Sequence, residues 1–473
     1  MNVAQQQQTV KGIVKGPDGL PVIAANISQK GTNNATITDL YGNFTLNITG
    51  QHPVLVISYI GYVTTEVNVS GRAFIEVVLQ EDVEALDEVV VVGYGTMRKK
   101  DVTGAVSSVR TEDITKNATS NVMQAIAGKM SGVQVVQNSG TPGGDVSILI
   151  RGVGTINDAS PLYVIDGVPV SGGMWYLNPN DVESIDVLKD ASATAVFGVR
   201  GANGVILVTT RRGEEGKAKI SISSNVGIQM PTRILDVADS YTTASLFREA
   251  QRNDGVADDQ LAFSEYDMER FRLGDSPILY PNVNWYDYLM NKAAVQTQHN
   301  VSISGGTKDI RYFVSLGFLF QNGLFKQLDG LDYDNNYSYT RYNYRANLDV
   351  NLTRTTTLKF GMGGIVGNQR DPGGSGNVWK QLTWSLPFSS PGIVDGKKVV
   401  TQSTRFPGVK MENQVINGFY GYGYDRKVSN NMTFDLNLSQ NLDFITKGLS
   451  IEVKGAYNTD YSYIKTVRGH VET

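Results

Sequence analysis

The sequence contains no cysteine and only three histidines, His52, His299 and His470, among its 473 residues. A disulfide framework and a cysteine-ligated zinc or iron–sulfur site are therefore excluded, and a multi-histidine metal site is not expected. No serine–histidine–aspartate arrangement and no phosphate loop with its lysine is visible. We therefore expect no enzyme activity, no cofactor and no bound metal.

An excess of positive charge is also missing, because 42 basic residues are outnumbered by 46 acidic ones. The net charge of −4 gives no reason to expect nucleic acid as a partner. No apolar run approaches the length of a transmembrane helix. A transmembrane β-barrel stays open, because its strands carry apolar residues only at every second position. No signal peptide follows Met1, so the chain is either cytoplasmic or a mature chain whose signal was removed.

Residues 9–80 alternate short apolar runs with turns, which is typical of a β-sandwich. Gly16-Pro17-Asp18-Gly19 is a strong turn signal, and Val54–Ile57 reads as a buried strand. The spacing of GxVxxxDGxPV, TDxxGNFxL and ISYIGY resembles the carboxypeptidase-regulatory-like domain, an immunoglobulin-type sandwich. That name implies no peptidase activity here, since the segment has no zinc ligand set.

Residues 81–100 combine an acidic stretch, four valines and a basic end. The acidic stretch from Gln80 to Glu88 repels itself and predicts an extended, solvated linker. Val89–Val92 favour an extended backbone because valine is β-branched. The four valines form either a strand buried in the first domain or a docking strand that adds to the edge of a partner's sheet. The linker before them and Gly93-Tyr94-Gly95 after them favour the docking strand.

Residues 101–213 read as a mixed α/β module. The predicted elements are a helix near 121–130 and strands near 132–136, 146–150, 161–170, 185–188 and 205–210. Asn180 with Glu183 three residues later resembles a capping box and predicts a short helix from Asp181.

Five segments of this region carry a more specific resemblance. They read LDEVVVVGYGTMRKKDVTGAVSSV, GVQVVQNSGTPGG, SILIRGVGTIN, PLYVIDGVPV and LNPNDVESIDVLKDASATAVFGVRGANGVILVTTRRG. Together with residues 9–80, they resemble SusC-type (SusC/RagA-like) TonB-dependent outer-membrane transporters. The resemblance implies a regulatory-like domain at 9–80, a linker with the TonB box at 81–100 and a plug at 101–213. It assigns the TonB box to Glu88, Val89, Val90, Val91, Val92, Gly93 and Tyr94.

Residues 217–473 alternate apolar and polar residues with a period of two. Between Arg341 and Leu352, every even position is apolar and every odd position is polar. Six further stretches behave similarly, so seven strands of about ten residues or more are predicted, longer than ordinary strands. A soluble sandwich would also alternate, but the long apolar faces carry no charge, as a lipid-facing surface requires.

The predicted connections between these strands alternate in length. Short turns are expected near 305–309, 353–356 and 445–448, and long connections at 231–297, 321–340 and 367–430. In outer-membrane barrels the short turns face the periplasm and the long loops face outward.

The predicted fold class is therefore mainly β. It combines a small Ig-like β-sandwich, a mixed α/β plug and about seven strands of a large antiparallel transmembrane β-barrel, namely its N-terminal part at 217–473. Barrels of this class have about 22 strands, and bacterial barrels have an even number. Seven strands cannot close such a barrel, so we expect that the chain is a fragment or that a second chain supplies the rest.

The resemblance also implies a function. It implies active import of large nutrients, usually oligosaccharides and sometimes peptides, by a signal-stripped chain embedded in outer-membrane lipid. The implied partners are TonB, with ExbB and ExbD for energy coupling, and a SusD-type surface lipoprotein that forms a lid. A surface adhesin or glycan-binding protein, a peptidase accessory protein, and an exporter or signalling transducer are the alternatives.

Four aromatic residues are candidates for stacking on a substrate: Trp175, Tyr176, Trp379 and Trp384. Trp175 and Tyr176 lie in a glycine-rich loop of the plug, and Trp379 and Trp384 lie in a long connection between strands. Loop packing or a position at the membrane interface is the alternative explanation for each of them.

Overall fold

A computed structural model describes residues 7–468, apart from 18, 33, 50–52, 60–61, 70, 81–88, 93–94, 99–105, 117–118, 157, 171, 329, 374, 400, 402–403, 412–414 and 420–421. The predicted linker at 81–88 and three residues of the predicted TonB box, Glu88, Gly93 and Tyr94, lie outside the described residues. The chain divides into two compact units, residues 1–104 and 105–473.

The first unit contains a sandwich of two small sheets, with strand orders β4-β1-β7 and β3-β2-β5-β6. The strands are β1 (Gln7–Lys15), β2 (Asn26–Gln29), β3 (Ala35–Ile37), β4 (Asn43–Thr49), β5 (Val54–Ser58), β6 (Thr65–Asn68) and β7 (Phe74–Val78). Alternate side chains point inward, so Phe44, Leu46 and Ile48 of β4 join Leu55 and Ile57 of β5 in one apolar core. The predicted sandwich is confirmed.

The four valines of the predicted TonB box also belong to this first unit. They form strand β8 (Val89–Val92), which pairs antiparallel with β9 (Gly95–Arg98). Only the two residues 93–94 separate the strands, so the pair is a hairpin.

The second unit begins with a five-stranded mixed sheet of order β10-β15-β16-β13-β14 and a separate hairpin, β11–β12. The strands are β10 (Val106–Arg110), β11 (Val133–Gln137), β12 (Val146–Ile150), β13 (Leu162–Ile165), β14 (Val168–Val170), β15 (Val182–Leu188) and β16 (Val205–Thr210). Helices span Thr111–Thr115, Val122–Ala125 and Ala191–Thr194, with 3₁₀ turns at Pro179–Asp181 and Ala195–Gly201. These elements form the mixed α/β plug that the sequence predicts.

The helix predicted from Asp181 is wrong. The side chain of Asn178 accepts a hydrogen bond from the backbone of Asn180 and caps only the 3₁₀ turn Pro179–Asp181. Strand β15 then begins at Val182 and pairs with β10 on one side and β16 on the other. Two ladders of backbone hydrogen bonds and a buried apolar run outweigh a local capping signal, because the net worth of a cap is only about 1 kcal/mol.

The rest of the second unit is a seven-stranded antiparallel sheet of order β17-β18-β19-β20-β21-β24-β25. Its strands are β17 (Gly216–Gln229), β18 (Ala294–Gly306), β19 (Ile310–Asn322), β20 (Ser338–Asn351), β21 (Thr356–Pro372), β24 (Tyr424–Asn441) and β25 (Ser450–Val467). They are 13 to 18 residues long, as a membrane-spanning barrel requires. In the part of the chain that the structure describes, β17 and β25 do not pair, so the sheet stays open.

Burial along this sheet is the reverse of that in a water-soluble protein. On β20, Tyr342 and Leu348 are exposed, whereas Asn343, Arg345 and Asn347 between them are buried. Exposed apolar side chains at every second position form the lipid-facing surface of a transmembrane barrel. The predicted strands and their number are confirmed. The predicted faces are confirmed on β18, β19 and β20, whereas the edge strands β17 and β25 are exposed on both faces.

The connections of this sheet differ at its two ends. Residues 307–309, 352–355 and 442–449 form the short ones, and residues 230–293, 323–337 and 373–423 form the long ones, which confirms the predicted alternation.

The long connections contain helices Ser240–Asn253, Glu265–Leu273, Trp285–Leu289, Ser375–Trp384 and Val415–Phe419, and the short strands β22 (Ile393–Val394) and β23 (Lys397–Lys398). Two apolar clusters, one around Phe263 and Phe388 and one around Phe325 and Phe419, hold them together. No helix among the described residues is long and apolar enough to cross a membrane.

Candidate functional site

The inner face of β20 is the main contact between the barrel sheet and the plug. Because side chains alternate along a strand, the polar half of this strand turns inward as a row. All five members of the row are buried: Arg341, Asn343, Arg345, Asn347 and Asp349. A buried polar group is costly unless it is hydrogen-bonded, so the partners of this row define the interface.

The residues of the row nearer the start of β20 donate hydrogen bonds to backbone carbonyls of the plug. Arg341 donates from Nη2 to the carbonyl of Ser120 at 2.7 Å and from Nη1 to that of Trp175 at 3.3 Å. Asn343 donates from Nδ2 to the carbonyl of Tyr176 at 2.9 Å. These bonds hold the plug loop that contains Trp175 and Tyr176 and, through Ser120, the start of the helix Val122–Ala125.

The residues of the row nearer the end of β20 bind the C-terminal end of the plug. Asn347 Nδ2 donates to the carbonyl of Arg211 at 2.7 Å and to Thr210 Oγ1 at 2.9 Å. Arg212 Nη1 forms a salt bridge of 2.6 Å with Asp349 Oδ1, and the Asp349 side chain is 7% exposed. A charge-assisted bond of this kind is stronger than a neutral one because both partners are ionised.

Strands β18 and β19 add two more bonds to the plug. Asn178 Nδ2 donates to Asn300 Oδ1 at 2.6 Å, and Ser315 Oγ donates to Asp181 Oδ1 at 2.6 Å. Burial raises the pKa of the Asp181 carboxyl, while the nearby Arg345 guanidinium and the Ser315 hydroxyl act in the opposite direction. A buried carboxyl is thus part of the surface that seats the plug.

The turn between β13 and β14 is held from the plug and from the barrel. Asp166 accepts hydrogen bonds from the backbone N–H and the hydroxyl of Thr210, at 2.9 and 2.7 Å. Arg345 Nη1 lies 3.8 Å from Asp166 Oδ2, and Lys454 Nζ donates to the Asp166 carbonyl at 2.9 Å. Gly167 follows with φ of 80°, a left-handed backbone conformation that favours glycine over residues with a Cβ.

A polar cavity of about 860 Å³ lies between the plug and the end of the sheet that carries the long connections. Three glutamines from neighbouring strands, Gln229, Gln296 and Gln321, line it. Gln229 and Gln321 both donate to Gln296 Oε1, at 2.5 and 3.0 Å. Gln321 Oε1 in turn accepts from the backbone N–H of Gly143 at 3.1 Å, so this glutamine ladder touches the plug.

A second cavity of about 1080 Å³ shares part of its wall with the first. The shared residues are Gln137, Asn138, Gly140, Thr141 and Gln229. Its other wall is largely apolar and aromatic, with Tyr286, Phe325, Tyr337 and Trp379. Hydrogen-bonding groups therefore border the first of these two adjoining cavities, which are together called the chamber, and aromatic rings border the second, as in sites for organic ligands.

The four aromatic candidates fall in different places. Trp175 lines the polar cavity and Trp379 lines the aromatic one, so both face the chamber. Tyr176 is buried and instead borders a small cavity of about 160 Å³ beside Asp166 and Arg345. Within the described residues its hydroxyl has no hydrogen-bond partner, and burial raises its pKa.

Trp384 is 59% exposed and lines neither half of the chamber. Lys380 Nζ lies 4.8 Å from the centre of its ring, in a cation–π contact. Substrate binding by any of the four aromatic residues stays a prediction, and the chamber favours Trp175 and Trp379 over Tyr176 and Trp384.

Several residues of this site were not predicted from the sequence. The glutamine ladder and Arg341 lie on the inward faces of strands whose apolar outward faces were identified. In the sequence these residues appear only as the polar positions of alternating strands. That pattern predicts that they face inward, but it does not predict what they contact. Among the described residues, no group of three or more His, Cys, Asp or Glu side chains could hold a metal ion.

Comparison with known proteins gives matches over most of the chain. The model of the TonB-dependent Receptor Plug Domain matches residues 98–205, and that of the CarboxypepD_reg-like domain matches residues 10–91. The TonB-dependent receptor SusC of Bacteroides thetaiotaomicron is 40% identical over 331 residues, 68% of this chain and 31% of SusC. The TonB-dependent receptor P26 of Formosa agariphila is 35% identical over 399 residues, 82% of this chain and 37% of P26.

The chain thus spans about a third of the length of these curated relatives. Among solved structures, the RagAB peptide importer in its open-open state aligns with a TM-score of 0.60 and 23% identity. That alignment covers 79% of this chain and 42% of the RagAB chain, and it shows a shared fold.

Proposed function

The chain is homologous to SusC-type TonB-dependent receptors and carries their regulatory-like and plug domains, and on that premise we propose that it imports large nutrients across the outer membrane. The plug blocks the barrel at rest. TonB, energised by ExbB and ExbD, pulls on the box at residues 88–94 and displaces the plug.

The polar row of β20 carries this proposal. An apolar interface would resist separation, because pulling it apart exposes apolar surface to water. Hydrogen bonds to Ser120, Trp175, Tyr176 and Arg211 can instead be exchanged for bonds to water, at a net cost of about 0.5–1.5 kcal/mol each. The plug is therefore held firmly at rest and can still be released by a pull.

Deletion of residues 88–95 tests the coupling. We expect uptake to be abolished, while insertion into the outer membrane and ligand binding at the outer surface stay intact. The control is a deletion of equal length in the acidic linker, which should shorten the tether and leave uptake measurable. Undiminished uptake in the box deletion would contradict the proposal.

We propose neutral oligosaccharides as the substrate class, because the chamber offers what a sugar chain needs. Amide groups of the glutamine ladder can pair with hydroxyls, and the rings of Trp175 and Trp379 can stack on sugar faces. Peptides are the second candidate, because the same amides could pair with a peptide backbone. RagAB is described as a peptide importer, and its 23% identity carries the fold only.

Aromatic substitutions test this choice. Trp175→Ala and Trp379→Ala should each weaken binding of a neutral oligosaccharide panel, measured by calorimetry on the detergent-solubilised receptor. Trp384→Ala is the matched control, because Trp384 lies outside the chamber. Binding of length-matched peptides, with no response to the sugars, would favour the second candidate.

A SusD-type surface lipoprotein is the proposed lid. The long connections support it, because two apolar clusters fold them into a firm platform at one end of the sheet. Affinity purification of the receptor from outer membranes should bring down one lipid-anchored protein in an equal molar amount. Purification of the receptor without such a protein would contradict the lid.

A further inference from the structure

The strand predicted as the TonB box already has a partner in its own chain. Strand β8 pairs antiparallel with β9 in the register Val89↔Arg98, Val90↔Met97, Val91↔Thr96 and Val92↔Gly95. The two strands form a sheet of their own, and neither pairs with another strand in the part of the chain that the structure describes. The docking segment is therefore a hairpin rather than a single extended strand.

A two-stranded hairpin alone is marginally stable in water, whereas three strands are enough for a stable small sheet. A strand from a partner that adds to one edge would supply the third strand through backbone hydrogen bonds. The hairpin offers such a partner a strand that is already extended, so less ordering entropy is lost on binding.

The two edges of the hairpin differ. The β8 edge consists of four valines, whose branching favours the extended backbone of a sheet. The β9 edge begins with Gly95 and ends at Arg98, with Lys99 and Lys100 next in the sequence. Glycine weakens a strand, and positive charges discourage pairing at an edge.

We propose that residues 89–98 dock onto TonB as an intact hairpin, with a strand of TonB's sheet added to the outer edge of β8. Strand β9 is then part of the docking element although it lies beyond the box. This inference rests on the proposed function, and it extends the coupling segment from residues 88–94 to residue 98.

Hairpin geometry says which backbone N–H groups face the partner. When two residues connect the strands, the pair next to the connection, Val92 and Gly95, is hydrogen-bonded, and the pairs alternate from there. The N–H groups of Val90 and Met97 therefore point into the hairpin. The N–H group of Thr96 points to the outer edge of β9, away from the proposed partner.

Two adjacent proline substitutions separate these roles. Met97→Pro removes an inward N–H and breaks the hairpin without touching β8. Thr96→Pro, its matched control, removes an outward N–H and leaves the hairpin intact. For the purified TonB periplasmic domain and the detergent-solubilised receptor, we expect Met97→Pro to weaken binding about tenfold and Thr96→Pro to change it less than about twofold.

Each other outcome overturns the inference. Unchanged or tighter binding of Met97→Pro would mean that the hairpin is dispensable or competes with TonB. A loss in Thr96→Pro that equals the loss in Met97→Pro would place the partner on β9. Hydrogen exchange on the unaltered receptor adds an independent check, because TonB should slow exchange at Val91, not at Thr96.

The deletion of residues 88–95 separates this inference from the proposed function. Unchanged TonB binding in that deletion contradicts the proposed function itself. Loss of binding in the deletion, together with normal binding in Met97→Pro, contradicts only the hairpin.

Discussion

Strand β4 of the sandwich and strand β20 of the barrel sheet show the same alternation with opposite burial. On β4 the apolar side chains, Phe44, Leu46 and Ile48, are buried and the polar ones face out. On β20 the polar side chains are buried and apolar ones such as Leu348 face out. Period-two alternation therefore identifies a strand with two unlike faces, and the surroundings decide which face is covered.

The covered faces also differ in what they can do. The sandwich core is an apolar cluster that excludes water and has no reason to open. Apart from Ile365 of β21, which packs into the apolar cluster of the plug, the inner face of the barrel sheet binds the plug largely through hydrogen bonds and ion pairs, which water can replace. Under the proposed function, the sandwich stays closed, whereas the barrel sheet can release the plug.

The largest expected effect comes from removing a buried charge on the polar face. Arg345→Met leaves Asp166 without its ion pair, where both side chains are at least 93% buried. Loss of one partner of a buried pair costs about 3–5 kcal/mol, which should loosen the plug. Influx of a large antibiotic that the plugged barrel excludes, once its remaining strands complete it, measures the loosening.

The control for this prediction is Arg354→Met, in the exposed connection between β20 and β21. It removes the same charge where water replaces every contact, so influx should match that of the unaltered receptor. Equal influx in both variants would mean that the ion pair does not seat the plug.

The next prediction compares the same substitution at two exposed leucines, one facing lipid and one facing water. Leu316 on β19 is 63% exposed and Leu20 in the sandwich is 64% exposed. Leu316→Arg should destabilise the barrel by about 2–4 kcal/mol, because it places a charge in lipid. Leu20→Arg should change stability by less than about 0.5 kcal/mol, because water surrounds it. Urea unfolding of the receptor in lipid vesicles measures both, and equal costs would contradict the lipid-facing assignment.

A smaller effect comes from deleting one methyl group in each region. Ile57 in the sandwich core is fully buried, whereas Ile303 on β18 is 38% exposed on the outer face. Ile57→Val should cost about 0.5–1.5 kcal/mol, because close-packed neighbours cannot fill the space. Ile303→Val should cost less, because lipid chains move into the gap. Denaturant titrations that follow each region separately would reveal a reversed order, which would contradict this contrast.

Much of the fold could be predicted because alternation is a local property of the chain. The apolar outer residues of β20 and β24, the seven strands and the lengths of their connections all follow from it. The helix predicted from Asp181 failed because burial between β10 and β16 depends on residues distant in sequence. Short capping signals carry too little free energy to decide such a case.

The candidate site was less predictable because register creates it. Gln296 and Gln321 are opposite each other across β18 and β19, and Gln229 is diagonal to Gln296 on the next strand. Each glutamine alone is an ordinary polar residue at a strand end. Trp175 and Tyr176 show the same limit, since neighbours in one loop face different cavities.

The smallest expected effect concerns two acids whose pKa values move in opposite directions. Hydrogen bonds from the side chain and the backbone N–H of Thr242 lower the pKa of Asp239, which caps the helix Ser240–Asn253. Burial raises the pKa of Asp181 at the plug surface. A lowered pKa stabilises the helix above the unfolded pKa, and this contribution is lost as the pH falls through the folded value. Because the pKa of Asp181 is raised, its protonation in acid favours the folded state. Acid should therefore not loosen the contact between Asp181 and Ser315.

Asp239→Asn should remove the acid sensitivity of the helix, because asparagine caps equally well and carries no charge. At neutral pH it should cost about 0.3–1 kcal/mol, since a negative charge near a helix N-terminus is favourable. Hydrogen exchange of residues 240–253 between neutral and acidic pH measures this change. Asp181→Asn is the matched comparison, and it should leave the exchange of those residues unchanged. If the change in exchange between neutral and acidic pH is the same with and without Asp239→Asn, the charge of the cap contributes nothing to the stability of the helix.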